Sequence, residues 1–225
     1  MTFSISARCA RTGMFGIAVS SSSPAVAARC AHARAGVGVV ATQNITDPTL
    51  GPKGLDLLQQ GLSPEAVMAR FAAGAPHFDY RQVVVLGTDG TAARHSGAET
   101  LGLHRVVHEP DVAAAGNLLA SEAVPQAMVD CFRSMPDAHI GDRLLASMKA
   151  AVAAGGEEGP VHSVGMLVVD KVAWPVTDLR IDWSEGDVME EFDALWTLWK
   201  EQMDAYVTRA LDPSTAPSYG VPGDE

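Results

Sequence analysis

A threonine at the second position, within the opening segment MTFSISA, is the first residue of this chain that suggests chemistry. Methionine aminopeptidase usually removes Met1 before such a small residue, which would leave Thr2 with a free α-amine. An amino-terminal threonine carries its own general base, because this amine lies beside the hydroxyl. The ordinary pKa of an α-amine, about 7.7–8.0, suits that role. Thr2 is therefore the predicted catalytic nucleophile; the alternative is that it merely follows the start codon.

A threonine nucleophile needs hydrogen-bond donors for the oxyanion that forms on the attacked carbonyl group. Two polar segments offer them, namely Thr42-Gln43-Asn44 at the end of a buried strand and Gly116-Asn117. Gln43, Asn44 and Asn117 are the predicted residues for holding the oxyanion and the substrate. Each segment alone is a weak signal, since polar strand ends are common.

Other catalytic patterns receive little support from the sequence. His95-Ser96 invites comparison with a serine hydrolase, but the chain has no Gly-x-Ser-x-Gly elbow. The seven histidines are scattered, HExxH is absent, and the three cysteines form no CxxC pair. Neither of the common phosphate-binding glycine motifs occurs. We expect no metal and no cofactor.

Composition restricts the class of partner. The 225 residues are 47% hydrophobic and 19% charged, as in a globular chain, and the formal net charge is −11. Such an acidic surface disfavours binding to nucleic acid or to a membrane surface. No apolar run is long enough to span a membrane and no signal-peptide pattern opens the chain, so a cytoplasmic location is expected. A small-molecule substrate is the expected partner.

The pattern of apolar residues predicts an α+β fold with two strand sets flanked by helix pairs. Period-two alternation starts at once, with Thr2, Ser4 and Ser6 on one face of the first strand. Further strands are predicted at 15–20, 37–43, 81–87, 91–95, 163–169 and 179–182. Helices are predicted at about 55–61, from 63 onward with Ser63 as N-cap, and at 121–134, 140–154 and 186–210.

The domain organisation is expected to be simple. Residues 1–211 are predicted to form one domain that includes the amphipathic helix at about 186–210, and residues 212–225 a flexible tail. The tryptophans of that helix lie on an apolar stripe that suits packing on the sheets or on another subunit. Because Trp and Met are enriched at interfaces, a homodimer or higher homo-oligomer is predicted.

A run of motifs in order resembles a bacterial family of unknown function whose members begin MTFSI. That family is identified as a member of the N-terminal nucleophile (Ntn) hydrolase superfamily. The resemblance covers residues 2–183 and rests on MTFSISAR, GIAVSSS, ARAGVGVVATQN, GPKGLDLLQQGLSPEAV, RQVVVL, GNLLASEAVPQAM, DRLLASMKAAVAAGG and DLRID.

The resemblance implies a four-layer αββα sandwich that cleaves amide bonds with an amino-terminal Thr, Ser or Cys, a position that Thr2 fills. It also implies that Ser20-Ser21 and Thr42-Gln43-Asn44 line the site. Gln82, His95 and Asn117 lie in matching motifs and are expected to line the same pocket.

One segment departs from the family pattern Gly-Gly-Asp-x-Arg-Gly-x-Gln-Ser. Residues 155–163 read GGEEGPVHS. The Arg and the Gln of the family pattern are therefore missing, and Pro160 and His162 replace them. The expected function is thus hydrolysis of a small amide or a modified amino acid or peptide, with a changed substrate preference. The alternative, which the altered segment and a retained Met1 would favour, is a non-catalytic protein that binds small molecules or serves in assembly on the same fold.

Overall fold

Two antiparallel sheets face each other in the computed structural model, which describes residues 1–223. One sheet contains, in spatial order, β10 (Thr177–Ile181), β9 (Ser163–Val169), β2 (Phe15–Ser21), β1 (Thr2–Arg8), β8 (Val112–Asn117) and β7 (Arg105–Glu109). The other contains β3 (Ala31–Arg34), β4 (Gly38–Asn44), β5 (Arg81–Leu86) and β6 (Ala92–Ser96).

Helices cover the outer faces of both sheets. The helices of the described residues are α1 (Ala27–Cys30), α2 (Leu50–Gln59), α3 (Pro64–Gly74), α4 (Val124–Ser134), α5 (Ile140–Ala153), α6 (Val188–Lys200) and α7 (Met203–Leu211). The pair α2 and α3 packs on the four-stranded sheet, while α4, α5 and α6 pack on the six-stranded sheet. The predicted α+β class and four-layer αββα sandwich are therefore confirmed.

Three apolar layers follow from the alternation of the strands. Phe3 and Ile5 of β1 pack with α4 and α5 on the outer face of the large sheet. Ile17 and Val84 belong to the layer between the sheets, and Val83 lies under α2 and α3. The opposite face of β1, which carries Thr2, Ser4 and Ser6, consequently points between the sheets.

Several predicted boundaries agree with the structure. The strands at 2–8 and 163–169 have the predicted ends, and the hairpin of β5 and β6 is present. Ser63 caps α3 as predicted, because its Oγ accepts a hydrogen bond from the backbone N–H of Ala66 at 3.2 Å. The preceding helix begins earlier than predicted, at Leu50, and includes Gly51 and Gly54.

Two predictions about elements are wrong. The sequence predicts no strand between Gly97 and Asn117, but this region contains β7 and β8, and β8 is the neighbour of β1. The single helix predicted at about 186–210 is two helices, α6 and α7, separated at Glu201 and Gln202.

The end of the described chain has no helix or strand after α7. Its residues nevertheless make contacts, since Arg209 donates a hydrogen bond to the carbonyl of Pro217 at 3.0 Å and lies over the ring of Tyr219. The last two residues of the predicted tail, 224 and 225, lie outside the described residues. Within residues 1–223, no helix is long and apolar enough to cross a membrane.

Candidate active site

The space between the sheets is polar at the end where β1 begins. Thr2 is paired in register with Asn117 of β8, and only 6% of its surface is exposed. Ser21 lies at the end of the neighbouring strand β2, on the face that alternation places between the sheets. This end of the interior gathers hydroxyl and amide groups from five strands, whereas the rest of the layer is apolar.

The Met1–Thr2 peptide group lies within this polar end. The carbonyl oxygen of Met1 accepts hydrogen bonds from Thr2 Oγ1 and from Ser21 Oγ. The two hydroxyl groups lie 3.4 Å apart. A serine hydroxyl that donates to a carbonyl oxygen beside a threonine hydroxyl is one element of an acyl-transfer site.

The direction of the hydrogen bonds at Ser21 follows from the Met1 carbonyl oxygen, which can only accept. Because the Ser21 hydroxyl donates its one proton to that oxygen, Ser21 Oγ accepts from Ser23 Oγ, 2.8 Å away, and from the Ser23 backbone N–H at 3.1 Å. Ser23 Oγ in turn accepts from the guanidinium of Arg29 at 2.6 Å.

A ladder of amide side chains joins the two sheets beneath Thr2. Ser4 Oγ donates to Gln43 Oε1 at 2.7 Å, and Gln43 Nε2 donates to Gln82 Oε1 at 2.7 Å. Asn117 Nδ2 donates to the same Gln82 oxygen at 3.1 Å, and Gln82 Nε2 donates to the Gly116 carbonyl at 3.0 Å. Both the oxygen and the nitrogen of the Gln43 side-chain amide are hydrogen-bonded within this ladder. Gln43 therefore supports the site, and the Met1 carbonyl is bound by other groups.

Glu157 adds an acidic group to the same region. The loop after α5 turns at Gly155 and Gly156, both at positive φ, and pairs with the segment after β8 through a bridge between Leu119 and Glu157. Glu157 is 4% exposed, and neither carboxylate oxygen makes a well-formed hydrogen bond to the described residues. Burial raises the pKa of Glu157 to about 7, while the positive chain terminus and the backbone of Ser22 act in the opposite direction.

Three of the predicted site residues have their side chains engaged elsewhere. Ser20 Oγ donates to the carbonyl of Ser163 at 2.9 Å, on the face of β2 opposite to Ser21. Asn44 fixes a loop, since its amide donates to the Tyr80 carbonyl at 2.7 Å. His95 stacks on Phe78 with 3.9 Å between the ring centroids.

Thr2, Asn117, Gln82 and Gln43 are thus brought together, and Ser20, Asn44 and His95 are not. Glu157 was missed as a site residue because its acidic neighbours in the sequence gave no sign of burial. Ser21 could have been chosen over Ser20 by counting along β2, because Ile17 and Ser21 share one face and Ser20 has the other parity.

A groove on the surface between α5 and α6 offers a poorer site. It has a volume of about 590 Å³. Four of its charged side chains pair with one another, Lys149 with Asp193 at 2.6 Å and Lys200 with Asp142 at 2.7 Å. Among residues 1–223 no group of three His, Cys, Asp or Glu side chains could hold a metal ion.

The molecule is an αββα sandwich with a polar site between its sheets. Residues 2–191 match the model of the family of unknown function DUF1028, and the chain belongs to that family.

The solved structures that match this one include the following two. The crystal structure of protein SPO2555 from Silicibacter pomeroyi, described with the same family, is 28% identical in sequence, with 88% of each chain covered and a TM-score of 0.81. Anbu (ancestral beta-subunit) from Yersinia bercovieri is 10% identical, with 91% of this chain and 96% of that one covered and a TM-score of 0.38. Comparison with curated proteins gives no match.

Proposed function

We propose that this protein is an amide hydrolase whose nucleophile is Thr2, freed by removal of Met1, as in the Ntn hydrolases that its sequence resembles. The observation that carries the proposal is the surroundings of the Thr2 hydroxyl. It is buried at the start of a central strand, beside a serine hydroxyl directed at a carbonyl oxygen. A rigid, largely water-excluded position of this kind is what a nucleophile on a chain terminus requires.

The proposed reaction has two steps. Thr2 Oγ1 attacks the carbonyl carbon of the amide while the Thr2 α-amine takes the hydroxyl proton, and Ser21 Oγ donates to the developing oxyanion. The carbon–nitrogen bond then breaks, and the amine returns the proton to the leaving nitrogen. A water molecule hydrolyses the resulting ester, which releases the acid and restores Thr2.

The substrate class proposed is a small amide or a modified amino acid or peptide, with no cofactor. The net charge of −11 supports a small substrate over a polyanion. The amide ladder of Gln43, Gln82 and Asn117 positions β1 and β8, and with them Thr2.

The test is replacement of the nucleophile. Thr2→Ala is expected to abolish amide hydrolysis and to leave the melting temperature within a few degrees of wild type, because only one hydroxyl is lost. Thr2→Ser is expected to retain part of the activity, since a hydroxyl and an amine remain. Thr197→Ala, an exposed threonine on α6, is the matched control and should change neither activity nor stability.

Intact-mass measurement with a threonine-directed electrophile completes the test. The proposal expects a chain lighter by one methionine and one adduct mapped to Thr2. Full activity in Thr2→Ala would contradict it.

A non-catalytic small-molecule-binding protein is the second candidate. The observation in its favour is that Met1, where retained, acylates the amine of Thr2, so that this amine cannot act as a base. A purified chain that keeps Met1, forms no adduct and holds an amide without cleaving it would support this candidate.

A further inference from the structure

A second cavity lies at the end of β1 opposite to Thr2. It has a volume of about 380 Å³ and is lined by residues 8–11, by the turn between β7 and β8, and by parts of the segment 132–143. Thr2 and Arg8 are the first and last residues of β1. Because a strand rises about 3.3 Å per residue, the cavity is about 20 Å from the candidate active site. It is therefore a separate feature of the molecule.

Arginine is the most frequent residue type in the lining of this cavity. The charged residues that line it are Arg8, Arg11, Arg133 and Arg143 on the positive side and Asp111 and Asp137 on the negative side. The chain as a whole has a formal net charge of −11, so this excess of positive charge is local. A concave surface with an excess of one charge raises the local concentration of ligands of the opposite charge.

The arginines differ in whether a carboxylate already offsets their charge. Arg8 forms an ion pair with Asp111 at 2.7 Å, and Arg133 makes a longer contact with Glu109, at 3.7 Å. Arg143 has no carboxylate oxygen within 4.0 Å among residues 1–223. The charge of Arg143 is therefore the one in this cavity that most needs an anion.

Arg143 is also the most deeply buried of the four, at 8% exposure. Its Nε and Nη2 donate to the Phe132 carbonyl at 3.1 and 3.0 Å, and its guanidinium lies 3.6 Å from the centroid of the Phe132 ring. Its Nη1 makes no hydrogen bond to an oxygen or nitrogen atom of residues 1–223, and the neighbouring thiol of Cys9 is a weak acceptor. Because a buried charge is costly unless it is paired, Nη1 suits an anion in the cavity.

Arg11 and Arg133 form the exposed rim of the cavity. Arg11 donates to the backbone carbonyl of Asp137 at 3.1 Å and, like Arg143, has no carboxylate oxygen within 4.0 Å among the described residues. Long exposed side chains at a rim can turn toward an anion that is bound below them. The volume is near the lower end of the range for small-molecule pockets, about 300–1,000 Å³, so the cavity suits a small ligand.

We infer that this cavity binds a small molecule through its phosphate or carboxylate group, with Arg143 as the buried donor and Arg11 and Arg133 as the rim that closes over the anion. Guanidinium groups recognise these two oxyanions because their planar N–H donors match the spacing of the oxygen atoms. A ligand held in this way connects the end of β1 with α4 and α5. Its binding should therefore raise the melting temperature.

Calorimetric titration of the full chain tests the site. The probes are inorganic phosphate and succinate at neutral pH, with sodium chloride adjusted to hold the ionic strength constant, so that screening does not change. The expected result is saturable binding of at least one probe, one molecule per chain, with a higher melting temperature. Tighter binding of phosphate would indicate a phosphorylated ligand, and tighter binding of succinate a carboxylate ligand. No saturable binding of either anion would overturn the inference.

Arginine variants test the assigned roles. Arg143→Gln should raise the dissociation constant of the bound probe at least tenfold. Because Arg143 also contacts Phe132, the double variant Arg11→Gln/Arg133→Gln tests the rim without that contact. It should raise the dissociation constant at least fivefold and leave the melting temperature without anion within a few degrees of wild type. Arg94→Gln, at an exposed position of β6, is the matched control and should not change binding. Equal weakening by Arg94→Gln would show an effect of net charge alone and would overturn the site.

Binding at this cavity is independent of amide hydrolysis. Thr2→Ala should bind the probe as tightly as wild type, because the length of β1 separates the two regions. Unchanged binding in Thr2→Ala would keep the anion site whether or not the hydrolase proposal holds. Loss of binding in that variant would place the anion near Thr2 and would overturn the inference.

Discussion

The hydrogen bonds around Ser21 form a series with one direction. Arg29 can only donate and the Met1 carbonyl can only accept, so the series runs from Arg29 through Ser23 to Ser21 and on to the carbonyl in the site. A donor polarised in this way and fixed before reaction stabilises an oxyanion better than a freely rotating hydroxyl.

Ser21→Ala removes the proposed oxyanion donor and should lower kcat by about 10²-fold with little change in KM, because the oxyanion exists only in the transition state. The matched control is Ser20→Ala, one position earlier on the opposite face of β2, which should retain kcat within about threefold. Steady-state kinetics on one amide substrate checks both. A larger effect on KM than on kcat would place Ser21 in substrate binding.

The buried carboxyl of Glu157 makes stability depend on pH in a definite direction. Its pKa in the folded chain is raised to about 7 from the ordinary 4.5, so the folded state keeps a proton that the unfolded state releases between these values. Its contribution to the free energy of unfolding therefore falls as pH rises from 4.5 to 7 and is constant above that.

In the chain that retains Met1, the Glu157→Gln variant has no carboxyl group at this position. Its free energy of unfolding therefore lacks the contribution that decreases as pH rises. We expect the variant to be more stable than wild type by about 1–2 kcal/mol at pH 8, after allowance for solvent screening, and to match wild type near pH 4. Chemical denaturation at the two pH values measures this. Glu158→Gln, at an exposed position, should show no such difference, and an equal shift of Glu157→Gln at both pH values would contradict the assignment.

At the scale of elements, the amide ladder joins the two sheets near the site. Gln82 of β5 receives hydrogen bonds from Gln43 of β4 and Asn117 of β8, so one side chain links both sheets. A buried amide network is favourable only while every donor keeps its acceptor.

Gln82→Met keeps the side-chain volume and leaves the Gln43 and Asn117 amide groups without their common acceptor. We expect a loss of about 2–4 kcal/mol in the free energy of unfolding, because two buried donors are orphaned. Activity should fall as well, since β8 positions β1 and Thr2. Gln60→Met, on the exposed end of α2, is the control and should cost less than about 0.5 kcal/mol.

The sequence predicts most elements of this fold where the apolar period is regular, as in β1, β5, β9 and the helices α4 and α5. It does not predict β8, because Val112–Asn117 is mainly alanine and glycine, both poor strand formers. Those small residues are needed by the tertiary structure, since Ala113 and Ala115 lie between two closely packed sheets.

The same limit applies to the candidate site. Thr2, Gln43, Gln82 and Asn117 were predicted as site residues and lie together in the fold. Glu157 depends on a bridge between two loops that are distant in sequence, and no local pattern reports such a contact.

In the molecule as a whole, Trp196 and Trp199 of α6 pack in the core of the same chain. Trp196 is 2% exposed and donates to Asp142 of α5 at 2.9 Å, and Trp199 donates to the Val176 carbonyl at 3.2 Å. Other apolar side chains of this region, Leu198 and Leu211, are 60% and 64% exposed. An interface of the predicted homo-oligomer on these helices would use exposed side chains such as these two and not Trp196.

Leu198→Glu tests the prediction of a homo-oligomer. If α6 and α7 form the interface, wild type should sediment as two or more chains and Leu198→Glu as one, because a buried glutamate without a partner is unfavourable. Thr12→Glu, in the exposed turn between β1 and β2, should sediment as wild type. A sedimentation mass equal to one chain for the wild-type protein would show that the predicted homo-oligomer is wrong.

The burial of the Met1–Thr2 peptide bond sets an order of events during synthesis. Thr2 is 6% exposed and the Met1 carbonyl is held by two hydroxyl groups, so an aminopeptidase can grip this bond only before β1 enters the sheet. Removal of Met1 and folding then compete in each nascent chain, and a chain that folds first keeps its methionine. The fraction of molecules with a free Thr2 amine in a preparation is therefore set during synthesis, and an aminopeptidase added after folding should not change it.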